Sequence, residues 1–162
     1  MAEPLAPLAA FSKGWSDYQA LLIKALRPLT PDQLTLRAAP HLRSVGEIAT
    51  HMIGARGRWL HGLMGEGGEA LAALAEWDRP GMPTRDAAEL AEGLATTWQV
   101  MQAALTRWTQ ADLAYTFSGE RRGEHYSFTR QWVIWHLIEH DLHHGGEISL
   151  TLGAHELTAI DI

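Results

Sequence analysis

Apolar residues recur at intervals of three and four in four separate stretches of this chain, and that helical period is what most narrows its fold. In the first stretch, Leu5 to Leu26, residues Phe11, Trp15, Tyr18, Leu22 and Leu26 share one face. Pro28 and Pro31 end it, because proline disfavours helical geometry in the residue before it. The second opens at Ser44, where Ser44 and Glu47 have the spacing of a capping box. Its stripe of Ile48, Met52, Ala55, Trp59 and Leu63 or Met64 runs up to the glycines 65, 67 and 68. The third starts near Thr84 as N-cap and continues to about Thr109, with Leu90, Leu94, Trp98, Met101, Leu105 and Trp108 on its stripe. The fourth runs from about Thr129 to Leu152, with Gly153 as its stop.

Residues 66–83 form a connector with room for a helical turn over Glu69 to Ala75, before Asp78-Arg79-Pro80-Gly81 breaks it. Tyr115 to Phe128 reads as a short hairpin around a Gly119-to-Gly123 turn. Four helices with one apolar stripe each bury those stripes by packing together, so the expected fold is an all-α four-helix bundle with a short hairpin before the last helix. At 162 residues, 46% hydrophobic and 20% charged, the chain suits a single domain spanning residues 1–162. The connector is long enough to cross the bundle, so a simple up-down-up-down order is not required.

Composition removes several function classes. With no cysteine there are no disulfides, thiolate zinc sites, iron–sulfur clusters or cysteine nucleophile. The start, MAEPLAPLAAFSKGW, lacks a basic segment followed by an apolar run, and no stretch approaches the roughly 20 apolar residues of a membrane span. The expectation is a cytoplasmic protein with no membrane partner. A formal charge of −6 gives no long-range attraction for phosphate backbones, and Arg121-Arg122 reads as a solvated turn, so nucleic acid is not an expected partner.

Nine histidines carry more information than the charge, because His136, His140, His143 and His144 fall within nine consecutive residues. His140 and His144, four apart, differ by about 40° around a helix and about 6 Å along it, so both rings project from one face and can share an ion. Val133, Leu137, Ile148 and Leu152 lie on that face, which directs the pair inward, where unpaired imidazoles would be costly. His51 sits in the middle of the second helix on or beside its apolar face and supplies a third ligand. A lone core histidine bonded to a carbonyl is the plainer reading of His51 alone. His136, about 80° from His144, reads as lining or an outer support, and His143, about 100° from His144, as outward-facing or turned toward a dimer partner. His41, His61, His125 and His155 read as surface or loop residues. Glu47 and Glu147 each stand close enough in sequence to orient a ligand imidazole through its second nitrogen; helix capping and solvation are their plainer roles.

Two strings are set aside. His136-Leu-Ile-Glu139-His140 matches the H-x-x-E-H of inverted zinc peptidases, which are built on a far larger scaffold. A ferritin-like di-iron site needs Glu-x-x-His pairs, and the chain contains none.

The stretch Trp135-His136-Leu-Ile-Glu-His140-Asp-Leu-His143-His144-Gly145-Gly146-Glu147-Ile148 resembles the final-helix pattern of the DinB/YfiT-like family, a histidine-rich helix ending in His-His-Arg-Gly-Gln. Ser44-Val-Gly-Glu-Ile-Ala-Thr-His51-Met-Ile is similar to its second-helix pattern. The resemblance implies an up-down-down-up four-helix bundle, often a homodimer, with a nickel or zinc ion on the residues matching His51, His140 and His144. It also implies a chemistry: some relatives are mycothiol-dependent isomerases or bacillithiol S-transferases. Gly145 and Glu147 depart from the family pattern, where arginine and glutamine are common.

Three neutral nitrogen ligands leave a coordination position open, as reactive metal sites do. A thiol bound there would lose its proton, and since the chain has no cysteine the sulfur must come from a low-molecular-weight thiol. The expected function is thiol-dependent S-transfer or isomerisation of a small electrophile, with Trp59, Trp132 or Trp135 lining the pocket. Two alternatives are hydrolysis by a metal-activated water with Glu47 or Glu147 as base, and a non-catalytic, stress-associated metal-binding protein.

Overall fold

The computed structural model describes residues 6–121 and 123–162. It is mostly helical. Four long helices are α1 (Ala6–Leu26), α3 (Val45–Gly57), α5 (Ala87–Arg107) and α7 (Arg130–Ala154). Three short ones are α2 (Pro31–Leu34), α4 (Gly68–Leu74) and α6 (Gln110–Ala114), and a two-stranded antiparallel sheet, β1 (Thr116–Arg121) and β2 (Glu124–Thr129), precedes α7. Helix α1 packs on α5, and α3 packs on both α5 and α7.

The stripes read from the sequence form the core. Leu22, Leu26, Ile48, Met52, Leu90, Leu94, Met101, Val133, Leu137, Ile148 and Leu152 are all buried. Helix α3 is buried nearly all round, because α2, α4, α5 and α7 surround it. The start of the first helix at Leu5 lies outside the described residues, as does Arg122. Phe11 does not join the core: it is 67% exposed, whereas Trp15, one turn on, is buried and packs edge-on to Trp98.

Local chemistry moves several boundaries. Thr30 caps the single turn α2 through a reciprocal bond with Gln33, so the chain re-enters helix where the prolines suggested only a break. Helix α5 starts on Asp86 rather than Thr84, because Asp86 has a glutamate three residues on that closes the capping box and Thr84 does not. Thr109 is the cap of α6, not the end of the third helix. In the hairpin Gly119 pairs with Tyr126 inside the ladder, and the reversal falls at Gly123, whose φ of 80° only glycine adopts freely. Helix α7 runs through Gly153 to Ala154; the left-handed residue that follows it is Glu156, and Leu157 donates back to the Leu152 carbonyl. The end of α3 widens into a π-helical segment, Arg58–Leu63, that carries Trp59 and His61. His61 is therefore half-buried in a helix rather than on a loop.

Buried charges tie the four long helices together. Asp141 on α7 is fully buried and pairs with Arg56 on α3, which is 3% exposed. Arg56 donates to both carboxylate oxygens, to Gln19 on α1, and to Thr97 Oγ1 and the Leu94 carbonyl on α5. Trp15 and Gln19 also donate to Asp141, at 2.7 and 3.1 Å. Every guanidinium nitrogen is bonded, which is the condition for a buried ion pair to be tolerated. The network fixes the rotation of α7, and so the direction in which its histidines face.

Candidate metal centre

His140 and His144 stand one turn apart on α7, and His51 reaches them from α3. Their ring centroids lie 5.1 Å (His51–His140), 5.0 Å (His51–His144) and 4.4 Å (His140–His144) apart. One nitrogen from each ring falls within 4.8 Å of the others. His51 and His140 are half-buried and His144 is buried.

Carboxylates set which nitrogens face the centre. His51 Nδ1 donates to Asp78 Oδ2 at 2.9 Å, and His144 Nδ1 donates to Glu147 Oε2 at 2.6 Å. With those protons fixed on Nδ1, the Nε2 lone pairs of both rings are free to bind an ion. Burial alone would raise the pKa of Asp78, but the hydrogen bonds from Arg58 and His51 outweigh it and hold the carboxyl below its ordinary range. Arg58 grips it with both terminal nitrogens, one at 2.9 Å. Gly54 makes this possible: a Cβ there would sit 2.5 Å from Asp78 Oδ1.

The third ring tests the fit to a metal. His140 Nε2 lies 3.3 Å from His51 Nε2. Two nitrogens on a tetrahedral ion at about 2.05 Å are also about 3.3 Å apart, so the pair already has the spacing of metal ligands. Burial, reinforced by His144 and His51, lowers the His140 pKa to about 3, so the ring stays neutral and able to ligate at any ordinary pH. Burial also lowers His144, against the opposing pull of Glu147. Among the described residues His140 Nδ1 is buried with no hydrogen-bond partner. Such a ring is poorly used as a structural hydrogen-bonding group. The donor set fits a divalent ion with borderline nitrogen preference.

The other expected site residues are placed as follows. Glu47 does not touch His51: it caps Ser44 and pairs with Arg37, whose hydrogen bond holds its carboxyl below the ordinary range. The carboxylate on His51 belongs to Asp78 instead, in the stretch read from sequence as a helix breaker. His136 stays outside the three-ring cluster, bonded to Glu139 and stacked within 6° of parallel on Trp132. Trp59 packs edge-on to both, and Phe128 from the hairpin continues the stack. Trp59 and Trp132 therefore wall the centre indirectly, through His136, whose ring is 6.0 Å from His140. Trp135 does not line it. Five residues before His140, it is turned about 140° away and is 58% exposed. On the opposite flank a cleft of about 1130 Å³ opens between α2, the start of α3 and the connector, with His51, Asp78 and Glu47 in its wall.

Gly145, where the sequence departs from the family pattern, has a packing reason. A Cβ there would sit 2.0 Å from the Tyr18 hydroxyl, so the tyrosine occupies the space a side chain would need. Burial, with Asp141 nearby, raises the pKa of that hydroxyl. Among the described residues no helix is long and apolar enough to cross a membrane.

Comparison with known proteins agrees with this architecture. A crystal structure of a DinB-like protein from Bacillus cereus superposes with a TM-score of 0.70 at 25% identity, covering 94% of this chain and 95% of that one. A conserved protein from Enterococcus faecalis superposes with a TM-score of 0.66 at 16% identity, covering 94% and 99%, which speaks to the fold alone. No curated protein matches. The model of the DinB superfamily matches residues 15–148, a span that includes all three histidines. The chain belongs to the DinB superfamily.

Proposed function

We propose that this protein binds one divalent ion, nickel or zinc, through His51, His140 and His144, and uses it with a low-molecular-weight thiol to transfer sulfur to, or isomerise, a small electrophile. The observation that carries the metal reading is the meeting of three imidazoles, two with Nδ1 held by carboxylates, at ligand spacing. When bound, the ion would supply Lewis acidity that makes a coordinated thiol nucleophilic at neutral pH. The protein's own part is orientation. Asp78 and Glu147 fix two ring tautomers, and the Arg56–Asp141 network holds α7 in register. The cleft beside His51 has room for a small-molecule thiol, and Trp59, Trp132 and His136 pack together on another side of the centre. The reading extends to a cytoplasmic homodimer whose long helices run up-down-down-up.

Thiol chemistry is favoured over hydrolysis by one observation. Of the two carboxylates that would serve as base, Glu47 is held by Ser44 and Arg37, and one oxygen of Glu147 accepts from His144. The test is a conjugation assay with metal-loaded protein, an aryl or alkyl halide, and a panel of thiols including bacillithiol and mycothiol. Activity lost in a folded His144→Ala variant supports the reading. Activity unchanged in metal-free protein, or turnover of esters without thiol, refutes it. Metal retention without turnover on any thiol would select the non-catalytic, stress-associated alternative.

A further inference from the structure

The outward side of α7 carries a second group of ligand-type side chains. His143 and Glu147 are four residues apart, and His143 Nε2 lies 3.6 Å from Glu147 Oε1. The other oxygen, Oε2, is the one that accepts from His144. Nitrogens of His143 and His144 and a Glu147 oxygen all fall within 4.8 Å of one another. The His143 and Glu147 side chains are 68% and 44% exposed, so a hydrated ion can reach them without moving the helix.

We propose that His143 and Glu147 form a second, solvent-facing site for a divalent transition-metal ion, distinct from the three-histidine centre and sharing Glu147 with it. The separation carries the argument. At 3.6 Å the pair is too far apart for a good hydrogen bond, so neither group is committed to the other. Nitrogen and oxygen ligands at about 2.0–2.2 Å from a four-coordinate ion stand about 3.3–3.5 Å apart, so an ion fits between them with a small side-chain adjustment. An imidazole with a carboxylate suits zinc, nickel or copper, whereas calcium and magnesium prefer all-oxygen shells. Two protein ligands with water completing the shell make this the weaker site. Glu147 serves both: Oε1 faces the outer ion while Oε2 holds the His144 tautomer.

The test is equilibrium dialysis of metal-stripped full-length protein against increasing zinc, with ions per chain measured by elemental analysis and folding checked by circular dichroism. Wild type takes up two ions, the first at lower zinc than the second. His143→Ala keeps the first and loses the second, His140→Ala loses the first and keeps the second, and Glu147→Gln weakens both. A His143→Ala protein that takes up the second ion as wild type does, or a wild type that saturates at one ion independent of His143, overturns the proposal. Absence of the first ion with a His143-dependent ion still present would sink the three-histidine reading and leave the outer site standing.

Discussion

Replacing Arg56 with methionine keeps most of the side-chain volume and removes the cation paired with Asp141. The carboxylate is fully buried and, among the described residues, would retain only Trp15 and Gln19 as donors. Removing one partner of a buried ion pair costs about 3–5 kcal/mol, because the remaining charge is left without compensation in a low-dielectric interior. A domain of this size has about 5–15 kcal/mol of stability, so Arg56→Met consumes a large share of it. The loss is read as a shift of the urea midpoint, followed by circular dichroism and by tryptophan fluorescence. The double variant Arg56→Met with Asp141→Leu removes both charges and recovers much of the loss. Its cost is therefore well below the sum of the two single changes. A single-variant cost under about 1 kcal/mol, or strict additivity in the double, would refute the claim that this pair fixes the rotation of α7.

Three further outcomes follow from the site. Asp78→Asn, which leaves His51 in place but loosens its tautomer, lowers zinc affinity by about 10–100-fold in a competitive chelator titration; unchanged affinity would remove Asp78 from the centre. Gly145→Ala drives a methyl into Tyr18 and destabilises by about 1–3 kcal/mol in the same urea assay, and a neutral result would mean that Tyr18 swings away freely. For pH, His140 is neutral in the folded protein down to about 3, whereas in the unfolded chain it titrates near about 6.5. Between those values the unfolded chain binds a proton that the folded one does not. This group therefore lowers the stability of metal-free protein as pH falls from about 6.5 toward 3, and contributes no slope above that range. Melting temperatures across the range should fall less steeply in His140→Phe than in wild type; equal slopes would contradict the shift.

Much of the framework was legible because it repeats. The stripes of the four long helices set the core, and Ser44 with Glu47 announced its own capping box. The i, i+4 spacing of His140 and His144 needed only a helix to bring the rings together. What escaped were interactions between distant segments with no period. Asp78 sits 27 residues from His51, in a stretch whose proline and glycine signalled only a break. The π-helical turn at Arg58–Leu63 has no sequence mark that we can identify. The Arg56–Asp141 pair was more accessible. Arg56 shares the buried face of Met52, Ile53 and Leu60, and Asp141 that of Leu137 and Ile148. Opposite charges on two inward stripes are a readable sign of a buried pair. At Glu47 the plainer of two readings held: nearness in sequence to His51 suggested an orienting partner, but the carboxylate serves its own cap.

The most direct test of the metal centre is elemental analysis of protein purified without added metal, wild type beside His140→Ala, with folding verified for both. One nickel or zinc ion per wild-type chain that survives dialysis, and its loss from the variant, is the predicted result. A wild type that retains no divalent metal after reloading and dialysis, or a His140→Ala protein that holds its ion as firmly, would contradict it.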